Sequence, residues 1–484
     1  MARRTGNGLN VAAVGGKNVS GTTERESRSA MQVQDTARIA RPFDVTHAEI
    51  WRIALPMTLA FLTTPLIGIV DTAVVGRMGD AAALGGLVVG AIVFDVAFAS
   101  FNFLRAGTTG LTAQALGEAD EREIVAVFWR ALVLAGLIGL ALVVAAPAVI
   151  ALGLLAIAPE PPVAAAMRAY VEIRLLAAPF ALVNYVLLGH LLGLGRSGRG
   201  LGLQIAINLG NIGFAIMFGL VLGGGVRGVA FGAVAGEAIG AVLGLMLVVA
   251  DFRRRPSVGR ADILRRAGFT RMLALNGDIM IRSFCLVGTY ALFTRFGAGL
   301  GAVTLAVNGI LLNLLMTGSY FLDGLATASE QLVGRAVGAF WRPAFDRALK
   351  LSIGWGIAFA AAIGLLLFAG GPGFVGLLTT DETLREGAAP FVAWTAAATL
   401  AGALAFVMDG VFIGATWSRT MRNMMLASVA VFVAAAYLLV PILGNHGLWA
   451  ALTLFLGARG LFLLAMTPAR RDSEFAPSRP PSPV

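Results

Sequence analysis

The sequence predicts an all-α integral membrane protein, with twelve transmembrane helices in two six-helix lobes related by a pseudo-two-fold axis. Three observations carry that expectation. The 484 residues are 58% hydrophobic and 13% charged, with mean hydropathy +0.82, against about 25% charged residues in soluble domains. The apolar runs are about 20 residues long, the length of a helical span and not of an alternating barrel strand. The two halves of the chain also repeat each other.

Residues 1–45 are polar and basic, and lack the apolar core of a signal peptide. They read as a disordered cytoplasmic tail that touches anionic lipid. Twelve apolar helices follow. Those of an N-terminal lobe (46–250) are 50–76, 82–105, 125–156, 163–194, 200–223 and 226–250. A basic cytoplasmic linker occupies 251–269. The C-terminal lobe (270–467) holds 270–294, 301–322, 345–370, 386–415, 421–443 and 446–467. Residues 468–484 read as a second disordered tail.

An even number of spans puts both termini on one side. With that side inside, the outer loops hold only Arg77, Arg168, Arg227, Arg295 and Arg385, while the inner segments hold most other basic residues. The asymmetry places both termini in the cytoplasm. The net charge of +10 is therefore spent on orienting helices, and no soluble domain offers it to nucleic acid.

The linker lies at the midpoint, and the halves align across it. VDTAVVGRMG (70–79) matches GTYALFTRFG (288–297), and AGTTGLTAQALG (106–117) matches DGLATASEQLVG (323–334). Helix directions agree, so the repeat is parallel and predicts a cleft between two rocking lobes.

Asp71 is the leading functional candidate. An acid in a membrane helix costs roughly 2.5–3.5 kcal/mol on insertion scales. It is either a neutral structural group or a proton or cation site. Pro56 and Pro65 precede it and each removes a backbone hydrogen bond, predicting a bend. Asn184, Asn208 and Asn211 are amides inside apolar runs. They join Asp71 or ligate Na⁺, or else act as interhelical glue. Asp409, Asp323 and Glu330 form a possible polar site in the C-terminal lobe, the alternative being local pairing with arginines. The repeat places Arg105 next to the counterpart of Asp323, which predicts a cytoplasmic gate pair Arg105–Asp323.

Other chemistry finds little footing. Cys285 is the one cysteine, and the three histidines have no metal-ligand spacing. GLGRSG (193–198) fits a dinucleotide pattern but joins two membrane helices and follows no strand. No Walker A sequence and no catalytic constellation points to an enzyme, a metal or a cofactor.

Several stretches resemble multidrug and toxic compound extrusion (MATE) transporters. ALPMTLAFLTTPLIGIVDTAVVGRMGDAAALG looks like the family's first helix, where a proline bend precedes a functional Asp; Pro56 and Asp71 match. FLDGLATASEQLVG, MDGVFIGATWSRTMRNMM and LGNHGLWAALTLFLGARGL look like the DinF branch. The resemblance implies a V-shaped pair of lobes exporting amphipathic or cationic organic compounds against H⁺ or Na⁺. In that branch an Asn and an Asp four residues apart on helix 5 join the helix 1 Asp. Asn211 matches the Asn, but Ala215 stands where the Asp is expected, which favours H⁺ as the coupling ion over Na⁺. The expectation is a multi-pass antiporter of the inner membrane, acting as a monomer without cofactor. One alternative is a lipid-linked precursor flippase, which a strongly cationic cavity would favour; deep arginines are few (Arg105, Arg174, Arg282). The other is a non-transporting scaffold or receptor.

Overall fold

The computed structural model describes residues 40–476. Most of the expected N-terminal tail therefore lies outside the described residues. Its last residues are ordered against the bundle: the Arg41 amide donates to the Ala339 carbonyl at 2.9 Å. The Arg41 side chain donates to the Glu118 carbonyl, and Arg335 stacks on Phe43 at 4.1 Å.

Helix α1 (His47–Gly76) starts at a capping box: Thr46 Oγ1 accepts from the Glu49 amide and Glu49 accepts from the Thr46 amide. That pairing satisfies two of the amides left free at a helix start. The helix runs through both prolines. Pro56 cannot donate to the Arg52 carbonyl, and the Ser197 hydroxyl does so instead at 2.7 Å. The first proline is thus compensated by a neighbouring helix.

The rest of the N-terminal lobe is α2 (Ala81–Ala99), α3 (Phe103–Gly117), α4 (Glu121–Val144), α5 (Ala146–Ile157), α6 (Pro161–Leu175), α7 (Ala178–Gly193), α8 (Ser197–Phe214) and α9 (Gly225–Phe252). Asp80 caps α2 and Asp120 caps α4 through their carboxylates. The short α10 (Arg260–Ile263) opens the C-terminal half. There follow α11 (Arg266–Gly299), α12 (Ala302–Gly338), α13 (Arg342–Leu378), α14 (Glu382–Ala388), α15 (Val392–Gly414), α16 (Ser418–Leu443) and α17 (Asn445–Glu474). Among the described residues, eleven helices are long and apolar enough to cross a membrane, or twelve with the bent pair α6–α7 as one span. Apolar side chains such as Val144, Leu155, Leu377 and Ile442 stand exposed, as lipid-facing residues do.

Four boundaries differ from the sequence reading. The second span continues from α2 through a tight turn at Ser100–Asn102 into α3, ending at Gly117 and not near residue 105. The eighth runs on to Gly338 and not to 322. These extensions are polar, and they are buried between the lobes. The third expected span divides at Ala145, before Pro147. The fourth bends by 50° between α6 and α7, where Pro179 leaves the Leu175 carbonyl without its helical donor. Gly139 of α4 gives Pro179 room to pack. At the C-terminus α17 stays helical to Glu474, so part of the expected tail is ordered. Arg471 pairs with Asp346 at 3.0 Å. The linker is held as well: buried Arg130 of α4 donates to the Asp262 and Ile263 carbonyls at 2.7 and 2.9 Å.

The two lobes meet at the end where both described termini lie. Gly338 packs on the Gln114 backbone, Gly117 on the Arg335 backbone, and Gly110 on the Ile413 carbonyl. Gly324 packs on Ala54 and Thr58. A side chain at any of these glycines would strike backbone or a short side chain, so the glycines set the distance between lobes. The repeat is visible in the packing. Gly193 sits on the Thr109 carbonyl in one lobe, and Gly410 sits on the Ala326 carbonyl in the other, at the same spacing along the chain. Gln114 donates to the Gly414 carbonyl at 2.9 Å, and its repeat partner Gln331 lies against Gly195 of the opposite lobe.

Gly338→Ala is expected to cost about 1–3 kcal/mol by overpacking. Gly136→Ala, where an added Cβ meets nothing within 4 Å, should be neutral or stabilise by up to about 1 kcal/mol. Thermal unfolding of the purified protein in detergent checks the contrast; equal midpoints for the two variants would contradict it.

Candidate functional site

Asp71 lies in the last third of α1, 7% exposed. It lines a cavity of about 510 Å³ with Pro65 and Ile69 of α1, Val88, Ile92 and Asp95 of α2, and Tyr170 of α6. Neither Asp71 nor Asp95 forms a side-chain hydrogen bond or ion pair with a described residue. Asp95 is exposed to the cavity.

The back wall follows from the parallel packing of α2 on α6. Gly86 sits on Ala166 and Gly90 on Tyr170. One turn further, Phe94 lies under the Arg174 guanidinium at 4.1 Å. This register sets Arg174 over Phe94 and within electrostatic range of Asp95, in the last turn of α6 just before the break. Tyr170 lies within electrostatic range of Arg174, and the two share a face of α6.

The sequence expected Asn184, Asn208 and Asn211 around Asp71. The structure gives each another partner. Asn208 donates to Thr63 Oγ1 of α1 at 2.6 Å and accepts from Gln204 at 2.9 Å. Asn211 donates to the Ile207 carbonyl of its own helix at 2.9 Å, and its Oδ1 has no partner. Asn184 donates to the Glu237 carboxylate at 2.7 Å and to the Glu237 carbonyl at 2.9 Å. Glu237 was not among the expected residues. Its signal was an acid in the apolar run GVAFGAVAGEAIGAVLG, comparable to that of Asp71. Ala215 opens a π-helical turn, Ala215–Val221. Within it Gly219 admits Val74 of α1, close to Asp71. Irregular turns of this kind recur at functional sites.

The C-terminal lobe treats its acids differently. Asp409 accepts from both Arg282 of α11 and Arg459 of α17. Asp323 lies within electrostatic range of Arg105, Arg282 and Arg459. The expected gate pair is corrected: Arg105 forms its ion pair with Glu330, at 3.8 Å. Glu330 is two helical turns from Asp323 on α12 and level with the lobe contact, which is why it meets α3. The bridge joins the two lobes at their closed end. His190 is buried between Phe128 and Phe252, with ring centroids at 5.0 and 5.5 Å. Among the described residues no cluster of His, Cys, Asp and Glu has the arrangement of a metal site.

The MatE family profile matches residues 56–217 and 279–438, one stretch in each lobe. The chain belongs to the MatE family. This MatE protein is 36% identical over 428 residues to DNA damage-inducible protein F of Escherichia coli (strain K12), covering 86% of this chain and 91% of that one. That relative matches the DinF resemblance read from the sequence. It is 26% identical over 438 residues to multidrug resistance protein NorM of Burkholderia vietnamiensis, covering 85% and 88%. Among solved structures, a MATE transporter in the bent conformation superposes with TM-score 0.82 at 17% identity, covering 88% of this chain and 95% of that chain. A MOP superfamily transporter from Pyrococcus furiosus gives 0.81 at 18% identity, covering 88% and 96%. These likenesses show the fold. This MatE chain is a multi-pass membrane transporter, and the family's members are transporters and not enzymes.

The two lobes should differ in what an acid-to-amide change does. Asp409→Asn strips a charge from two deep arginines and is expected to cost about 3–5 kcal/mol. Asp71→Asn removes no ion pair and should cost much less. Thermal unfolding in detergent separates them; an Asp71→Asn loss as large as that of Asp409→Asn would contradict this assignment.

Proposed function

We propose that this MatE protein is a secondary antiporter that exports amphipathic or cationic organic compounds in exchange for protons, by alternating access of its two lobes. One observation carries the reading: Asp71 lines an apolar-walled cavity inside the membrane bundle without a protein partner. A carboxylate left so in hydrocarbon gains most from a mobile partner, a proton or the charged part of a substrate.

The cell inner membrane, with both termini cytoplasmic, is the placement that the arginine distribution supports. The closed end of the lobes is then the cytoplasmic end, and the Asp71 chamber communicates with the outside. A proton reaches Asp71 from outside and leaves inward once the lobes exchange faces. The Arg105–Glu330 bridge and the glycine contacts must part for that exchange. Pro65 leaves the Phe61 carbonyl without its helical donor, so α1 has a weak point between the lobe contact and Asp71.

Two charge arrangements favour this reading over the alternatives. Arg282 and Arg459 are both held by Asp409, and Arg105 by Glu330. The cavity is therefore not strongly cationic, as binding a lipid-linked polyphosphate would ask. The unpartnered acids of the N-terminal lobe would also be costly in a scaffold or receptor that moved nothing.

Proteoliposomes carrying a pH gradient alone, or a Na⁺ gradient alone, test the proposal with methyltriphenylphosphonium as the transported probe. The pH gradient is expected to drive wild-type transport, and Asp71→Asn to reduce it at least about tenfold. Undiminished pH-driven transport by Asp71→Asn, or wild-type transport on Na⁺ alone, would overturn it.

A further inference from the structure

We infer that Arg174 determines the ion selectivity of the Asp71 chamber: its fixed guanidinium stands where a bound metal cation would, so the acids around it exchange protons and not Na⁺. The inference rests on the antiport reading above and names the residue that sets its coupling ion.

The geometry is that of an internal cation. Arg174 occupies the last turn of α6, at the 50° break. Two backbone bonds close that turn, Leu176 amide to Ile173 carbonyl at 3.0 Å and Ala177 amide to Arg174 carbonyl at 3.1 Å. The guanidinium is held over the Phe94 ring at 4.1 Å, one helical turn beyond Tyr170 on the same face of α6. Its Nη1 is buried without a partner.

The ionisable groups facing it come from each surrounding helix. They are Asp71 of α1, Asp95 of α2, Tyr170 of α6, Tyr185 of α7 and Glu237 of α9, and Arg174 is the basic residue whose charge acts on all five. Three acids thus share one permanent cation that cannot lose its proton.

A Na⁺ ion would need oxygen ligands facing inward without a competing positive charge. Here the Arg174 guanidinium is the competing positive charge, within electrostatic range of Asp71, Asp95 and the Tyr170 hydroxyl. The Glu237 carboxylate accepts from the amide nitrogen of Asn184 at 2.7 Å, so Asn184 turns a donor to the acid. Protons can still load the acids one at a time, because each is small enough to share the site with the guanidinium. Removing the guanidinium leaves Asp71 and Asp95 facing one cavity with no fixed counter-charge. Two carboxylates on one cavity with no fixed cation attract a mobile one.

The test measures binding of ²²Na⁺ to detergent-purified protein, and transport of methyltriphenylphosphonium under each gradient. Wild type and Arg174→Lys, which keeps the positive charge, are expected to show no saturable Na⁺ binding. Arg174→Gln is expected to bind Na⁺ saturably and to gain Na⁺-driven transport. Should that variant not fold, Arg174→Gln/Glu237→Gln, which removes one acid with the base, is expected to do the same. Saturable Na⁺ binding by wild type would overturn the inference, as would folded glutamine variants that bind none. Absence of ion-driven transport by wild type would instead overturn the antiport reading, while the binding results would still judge the role of Arg174.

Discussion

A carboxylate inside a membrane bundle needs a charged or hydrogen-bonding partner or a cavity to face, and Asp409 and Asp71 show the two solutions, one in each lobe. In the C-terminal lobe Asp409 is gripped by Arg282 and Arg459. In the N-terminal lobe Asp71 and Asp95 share a cavity and lack such a grip. The lobes descend from one repeated plan, as the paired contacts Gly193–Thr109 and Gly410–Ala326 show. Their acids nonetheless sit in different surroundings. A doubly bonded acid stabilises helix packing, whereas an acid facing space is available to a mobile charge.

The N-terminal chamber is assembled where regular helix fails. The α6–α7 break sets Arg174 at the end of a half-helix. The π-helical turn from Ala215 fits Gly219 against Val74. Pro65 interrupts α1 six residues before Asp71. Each irregularity leaves backbone groups that the surrounding helices must satisfy. Each also offers a place where a small change in charge can move a helix without unfolding it.

Much of this was legible from residue type and order. Hydropathy marked the spans, the basic linker marked the midpoint, and the repeat marked two lobes. Asp71 stood out because its insertion cost is local and readable. Glu237 carried a similar local signal, and only its nonlocal bond to Asn184 needed the fold. The span ends near 105 and 322 were misplaced for a physical reason. Residues 106–117 and 323–338 are polar and glycine-rich, which reads as an exit from the membrane. They are instead the surfaces on which the lobes meet, buried by each other and not by lipid. The same burial explains the ion pair between the lobes. Repeat alignment set Arg105 near the counterpart of Asp323, but the distance across the interface selects Glu330. The family resemblance sets Asn211 with Asp71, while residue type leaves it open; its amide bonds the Ile207 carbonyl one turn back, which no spacing rule excludes.

Closure of the lobes at one end and a loaded acid at the other are two faces of one claim, that charge at Asp71 controls whether the interface opens. The protein's one cysteine makes this measurable. With Cys285→Ser as background, Ala113→Cys places a thiol against Gly334 in the closed interface. Labelling by a membrane-impermeant maleimide from the cytoplasmic side is then followed during turnover. The account predicts protection at rest, labelling when substrate and a pH gradient are both present, and labelling of Asp71→Asn, whose neutral side chain imitates the loaded acid, even without a gradient. A thiol that stays protected while the protein transports at full rate would contradict it.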